Sequence, residues 1–248
     1  MYLFKLSLIF FLSLNLYSLD LKDYFNEKCS KIIDKQIYQI CYDYSVKGPR
    51  YISYTLYGDK VHLKNIKKRP RFYAEKSIPK GFRVYPRDYI YVGYNRGHIA
   101  KDSAFDYSKQ SLLKVYSMAN ITPQKPKLNQ ISWQKVERLE SKLAVKYGKI
   151  NVLNIIYYKD RSKYLKKIPI KEADKLYYKK YKKHFSKKQI KKYKEYDRKL
   201  RLKKIIIPSG FLKVLYNENF TECFYYKNEY KDGDKLKNHK VECWKYLK

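Results

Sequence analysis

Residues 150–158 read INVLNIIYY, a nearly continuous apolar run of strand length. A strand with one wet face alternates apolar and polar residues, so an unbroken run belongs in a position covered on both sides. This element therefore belongs in a buried position. Other stretches supply candidate partners. YISYTLYG at 51–58 alternates, is rich in β-branched and aromatic residues, and closes on a Gly turn. YIYVGY at 89–94 and LLKVYSMANIT at 112–122 also read as strands, and KIIIPSGFLKVLYN at 204–217 reads as strand, Pro-Ser-Gly turn, strand. Val136, Leu139 and Leu143 form one stripe of a helix from about Asn129 to Tyr147, stopped by Gly148. Between Asp20 and Gln39, Leu21, Tyr24, Phe25, Ile32 and Ile33 are spaced as in a helix or helix pair. The 248 residues suffice for one sizeable α/β or α+β domain and are short for two.

Charge narrows the partners. The chain carries 57 Lys and Arg against 23 Asp and Glu, a formal net charge of +34. Codon bias toward A and T would raise Glu together with Lys, yet acids are scarce, which points to a polyanionic partner: nucleic acid or an anionic membrane surface. Residues 161–204 hold 20 Lys and Arg against 4 Asp and Glu, nearly half of the excess, with almost no apolar face. That composition predicts a charged helical excursion or insertion outside the core.

The first residues, MYLFKLSLIFFLSLNLYSLD, have one Lys and then an uncharged apolar run from Leu6 to Leu19. The run is short for a bilayer span and suits a secretory signal peptide over residues 1–19, with residues 20–248 as the mature domain. Four cysteines fit export to a periplasmic or secreted location. Cys29 and Cys41 lie near one end, Cys223 and Cys243 near the other. Four cysteines allow three pairings, of which the short loops favour 29–41 and 223–243; no Cys-x-x-Cys supports zinc.

The densest signal lies between 94 and 140. It contains Asn95-Arg96-Gly97-His98, then Asn120-Ile121-Thr122-Pro123-Gln124, then Leu128-Asn129, Trp133 and Glu137. These elements, in this order and spacing, resemble the DNA/RNA non-specific endonucleases with a ββα-metal active site, whose pattern is Asp-Arg-Gly-His, Ser-Asn-x-x-Pro-Gln and Leu-Asn-x-x-x-Trp-x-x-x-Glu. The resemblance implies an α+β fold: a mainly antiparallel sheet flanked by helices, with a ββα finger at the site. It also implies a metal-dependent, sequence-non-specific endonuclease acting on DNA and RNA and leaving 5′-phosphate ends.

Phosphodiester hydrolysis needs a base for water, positive charge on the phosphate oxygens and help for the leaving oxygen. The resemblance gives His98 the role of base, with activity expected to fall below about pH 6 for an ordinary imidazole. It makes Asn129 the one direct protein ligand of a divalent cation, expected to be Mg2+ with Mn2+ as the alternative, while the same Asn is also placed to cap the helix starting there. Glu137, chosen over Glu140 by its spacing from Trp133, would hold metal-bound waters, and Asn120 would support the site beside the base. Arg96 is placed for phosphate or a helix end. Arg71 is preferred to Arg69 as the upstream arginine acting on the transition state, leaving Arg69 with Lys179, Lys180, Lys182 and Lys183 as nucleic-acid contacts. His62, His184 and His239 lack such surroundings.

At one point the chain departs from the pattern. Asn95 stands where the family has Asp, isosteric but uncharged, which weakens any role that needs that carboxylate. A non-catalytic nucleic-acid-binding protein on the same scaffold is therefore the alternative, and a basic envelope protein docking on anionic lipid or polysaccharide is a third reading.

Overall fold

The computed structural model describes residues 29–61, 63 and 66–247; the leader segment and His62 lie outside them. The architecture is α+β. The strands among the described residues are β1 (Lys31–Asp34), β2 (Gln39–Asp43), β3 (Gly48–Tyr57), β4 (Asn95–His98), β5 (Ile121–Gln124), β6 (Lys149–Tyr157), β7 (Gly210–Asn217), β8 (Phe220–Lys227) and β9 (Lys240–Val241). The α-helices among the described residues are α1 (Lys109–Val115), α2 (Trp133–Tyr147), α3 (Ile170–Tyr181) and α4 (Lys187–Lys203). Seven strands form one antiparallel sheet in the order β1-β2-β3-β6-β7-β8-β9, and β4-β5 is a separate antiparallel hairpin.

The apolar run sits at the centre of the large sheet, as its composition requires. Val152 and Ile156 of β6 join Phe211 and Leu215 of β7 in the main core, which also buries Trp133, Val136 and Ala144 of α2. Leu153 and Ile155 point the other way, with Leu212 and Val214, into a second cluster that includes Cys41 and Cys223. Both predicted disulfides are present, Cys29–Cys41 and Cys223–Cys243, with Cα separations of 5.1 and 5.3 Å. Each fastens a terminal segment onto that second face.

Several expectations are corrected. The described part of 20–39 is not helical: β1 and β2 form a hairpin in which Ile33 faces Ile40 and Ile32 faces Cys41. The helical spacing there was incidental, because cross-strand pairing and the disulfide outweigh local propensity. Residues 89–94 are not a strand, since Tyr91 and Gly93 adopt φ of 55° and 71°, and left-handed residues break an extended chain. Residues 112–122 divide into the end of α1, a 3-10 turn at Met118–Asn120 and the start of β5. Ser108, upstream of the stretch considered, starts α1 by accepting from the Ser111 N–H. In 204–217 only Ile206 makes an isolated bridge, to Tyr164, before β7 begins.

The charged excursion is helical, as expected, but it does carry core. Leu165 and Leu200 are buried with Val84, Tyr89, Val92, Met118, Ile121 and Ile205 in a third cluster. Among the described residues no helix is long and apolar enough to cross a membrane.

Candidate active site

β4, β5 and α2 form a ββα unit on the main core, with α1 lying in the connection between the two strands. In the hairpin Asn95 pairs with Gln124, Gly97 with Thr122 and His98 with Ile121. Gly97 is required by close approach: a Cβ there would lie 2.1 Å from Oε1 of the buried Gln124. Asn228, just past β8, clamps the hairpin to the large sheet. Its Nδ2 donates to the carbonyls of Pro123 and Pro208, and its Oδ1 accepts from the Lys125 N–H.

After Lys125 the chain makes a π-turn, Leu128–Ser132, that runs directly into α2. Single π-turns are found often at functional sites. Asn129 lies within this turn, half-buried, its N–H bonded to the Lys125 carbonyl. It is therefore not an N-cap, and the capping role expected from sequence is corrected. Trp133 anchors the first turn of α2, its ring 5.7 Å from Phe211, 5.4 Å from Tyr226 and 5.0 Å from the Lys213 ammonium.

Two carboxylates one turn apart on α2 have different surroundings. Glu140 is fully buried, 2.7 Å from Lys213 Nζ and accepting from the Tyr54 hydroxyl at 2.8 Å. Burial alone would raise its pKa, but Lys101 and Lys213 outweigh that and hold the carboxyl below its usual range. Glu140 is thus committed to the core. Glu137 has no such pairing; burial pushes it up to about 7, with Glu140 and Asp102 adding to the rise and Lys213 and Lys101 opposing it. Lys101, three residues after His98, donates to the Glu137 carbonyl and to Ser141 Oγ, tying the end of β4 to α2.

His98 ends β4 against two aromatic rings, Phe72 at 5.2 Å and Tyr116 at 5.0 Å. Its Nε2 is shielded from solvent and bonds to no protein group. Burial lowers the pKa to about 4; Asp102 pulls it upward, while Arg69 and Arg96 push it further down. Burial thus moves the charging of this imidazole below the pH of about 6 expected for an ordinary histidine. Asn120, wholly buried, accepts from the Ala100 N–H through Oδ1 and donates to the Ala100 and Val115 carbonyls through Nδ2. It braces the backbone just after His98.

The two upstream arginines differ in their surroundings. Arg69, not Arg71, comes within electrostatic reach of His98: its Nε is 3.3 Å from Asp102 and its Nη1 3.2 Å from Asp106. Arg71 is exposed. Arg96 is exposed as well, lying over the Phe72 ring at 4.6 Å. Lys179, Lys180, Lys182 and Lys183 are exposed at the end of α3 and the turn beyond it, remote in sequence from the hairpin. Sequence reasoning missed Lys101, Asp102, Tyr116 and Asn228. Asp102 accepts from the Tyr116 hydroxyl at 3.0 Å, beside the Arg69 pair. The AKDSAF segment directly after the His motif was the available signal for the first two.

The donor set fits a hard divalent cation. Asn129 offers an amide oxygen and Glu137 a carboxylate, both hard oxygen donors, the Asn129 side chain makes no hydrogen bond among the described residues, and a carboxyl whose pKa is raised by burial gains from a nearby positive charge. Among the described residues no group of three or more His, Cys, Asp or Glu is gathered for a metal, so an ion here would keep most of its waters.

The family pattern extends over nearly the whole chain: a sequence model described as DNA/RNA non-specific endonuclease matches residues 21–246. Human mitochondrial Endonuclease G is 24% identical over 123 residues, covering 50% of this chain and 41% of the human protein. The mouse mitochondrial nuclease EXOG is 28% identical over 98 residues, covering 40% and 27%. A nuclease of Nostoc sp. is 29% identical over 104 residues, covering 42% and 37%. The matched region spans less than half the length of each of these relatives. The fold also resembles a chain in a solved structure of the EndoG/EndoGI complex, with a TM-score of 0.63 at 16% identity over 85% of this chain and 80% of that one. By its ordered motifs, its ββα hairpin and the match across residues 21–246, this chain belongs to the DNA/RNA non-specific endonuclease family.

Proposed function

We propose that this protein is a metal-dependent, sequence-non-specific endonuclease that hydrolyses phosphodiester bonds of DNA and RNA, leaving 5′-phosphate ends. The observation that carries the reading is His98: a neutral imidazole whose Nε2 is uncommitted, flanked by Arg69 and Arg96 in a ββα unit. Neutrality is the state in which a histidine accepts a proton from an attacking water. The Phe72 and Tyr116 rings flank the imidazole, Asp102 holds the Tyr116 hydroxyl, and Asn120 fixes the backbone behind it. Arg69 and Arg96 supply positive charge for the oxyanion that develops on phosphorus, and Arg69 is kept in orientation by two carboxylates.

Asn129 and Glu137 would hold a magnesium or manganese ion. Bound there, the ion neutralises phosphate charge and makes its waters more acidic, which assists departure of the leaving oxygen. Glu137 would accept hydrogen bonds from waters of such an ion, and Glu140 does not compete, being committed to Lys213. A periplasmic or secreted setting is supported by the two disulfides, which persist in oxidising compartments.

A plasmid-nicking assay with magnesium, repeated with chelator, tests the proposal. Nicking that disappears on chelation is expected. Binding to plasmid without nicking in magnesium or manganese would sink it in favour of a non-catalytic nucleic-acid-binding protein, the reading that Asn95 raises.

A further inference from the structure

We propose that the α3–α4 hairpin is a docking surface for the phosphate backbone of duplex nucleic acid, mounted on the segment that leads into the His98 strand. The inference rests on the nuclease reading for its biological sense but stands on its own observations.

The hairpin is held together and held in place. Asp174 accepts from the Phe185 N–H and lies 2.6 Å from His184, closing the turn between the helices. Ser186 and Gln189 form a capping box at the start of α4. Phe185 packs on Tyr177, Tyr91 and Tyr193 with ring separations of 4.8, 5.9 and 6.0 Å. The base of the hairpin meets residues 85–94: the Ile168 N–H donates to the Tyr91 carbonyl, Lys167 Nζ donates to the Ile90 carbonyl, and Lys203 pairs with Asp88 at 2.5 Å. Residue 95, the next in the chain, begins β4. The arm therefore shares a mount with the catalytic strand.

Its outer side chains are predominantly cationic. On α4, Lys187, Lys191, Lys194 and Arg198 fall three or four residues apart, which places them in one row, and all are exposed. At 1.5 Å per residue the row runs roughly 16 Å, about five steps along a duplex strand. Glu195, the acid nearest this row, is held by Lys199 at 2.5 Å. On α3, Lys171, Lys175 and Lys179 make a second exposed row, with Glu172 of the first turn beside it. Rows of cations on straight helices, with side chains too far apart for one small anion, match a repeating polyanion.

The test replaces Lys187, Lys191, Lys194 and Arg198 with Gln in the full chain. A control replaces four exposed lysines elsewhere, Lys76, Lys80, Lys231 and Lys237, with Gln. Binding of a 20-base-pair duplex is measured in chelator across a salt series, with melting temperature as the folding check. The arm variant should melt like the parent and lose up to about three to four units from the slope of log affinity against log salt, at about 0.9 per phosphate contact. In magnesium it should cleave with unchanged kcat and raised KM. An unchanged slope, or an equal loss in the control, would overturn the proposal. Retained duplex affinity with lost binding to phosphatidylserine-containing vesicles would reassign the surface to lipid and overturn it as well. Cleavage by the parent with an unchanged slope in the variant sinks the arm alone. A reduced slope with no cleavage by the parent sinks the nuclease reading alone.

Discussion

At the scale of single residues, the site separates groups that react from groups that hold them. His98 is a half-buried imidazole whose shielded Nε2 is uncommitted, whereas Asn120 spends its amide on backbone. His98→Ala should cut turnover by about 10²–10⁴-fold, the usual worth of a positioned base, while duplex affinity stays near the parent value; near-parental nicking rates would refute the role. With its pKa lowered to about 4 from 6.5, His98 remains neutral at pH 5, so the His98-dependent limb of the pH–rate profile should lie near pH 4. The same shift has a sign for stability. The unfolded chain takes up this proton first, so stability is complete above pH 6.5 and declines as pH falls through 6.5 toward 4. Melting curves at pH 7 and pH 5 should show that loss, and a His98→Asn variant should show less of it. Asn129→Ala should melt within error of the parent, because its side chain caps nothing, yet lose metal-dependent cleavage, with only partial rescue as magnesium rises. A drop in melting temperature with turnover intact would make Asn129 structural.

At the scale of elements, α2 serves both core and site because its turns face different surroundings. Trp133 and Glu140 fasten it to β7 through Lys213, and Glu137 is left beside the His98 loop. The Lys213–Glu140 pair is wholly buried, so removing one charge strands the other in a low dielectric. Lys213→Ala should therefore cost about 3–5 kcal/mol in a denaturant melt. The double variant Lys213→Met, Glu140→Leu should cost less than the single change. A double cost equal to the sum of two singles would mean the charges do not act as a pair.

At the scale of the whole molecule, two disulfides fasten opposite ends of the chain to one face of the sheet, closing separations of 12 and 20 residues. Loop-closure entropy assigns each about 3 kcal/mol. Reduction should lower the melting temperature cooperatively, and the Cys223–Cys243 loop, being longer, should contribute slightly more. Cleavage by the reduced, still-folded protein should persist, since neither bridge touches the hairpin or α2. Loss of activity at temperatures below the reduced melting point would tie a bridge to the site.

The sequence by itself determined what is written in contiguous stretches. The ββα motif is confined to residues 94–140, so its order and spacing survive as a linear pattern. The 150–158 run announced a strand covered on both faces, the cysteine separations favoured the pairs that form, and 161–204 declared its charge. Only the tertiary structure decided which distant groups meet. Arg69, Asp102 and Tyr116 come together at His98, Lys101 reaches Glu137, and Asn228 crosses more than a hundred residues to clamp the hairpin. Tertiary packing also made Leu165 and Leu200 core inside a segment whose composition argued against it, and drew residues 31–43 into strands. The physical reason is the same in each case. Local periodicity records which face of an element is apolar, but the partner that buries that face, and the dielectric that sets a nearby pKa, come from chain far away in sequence.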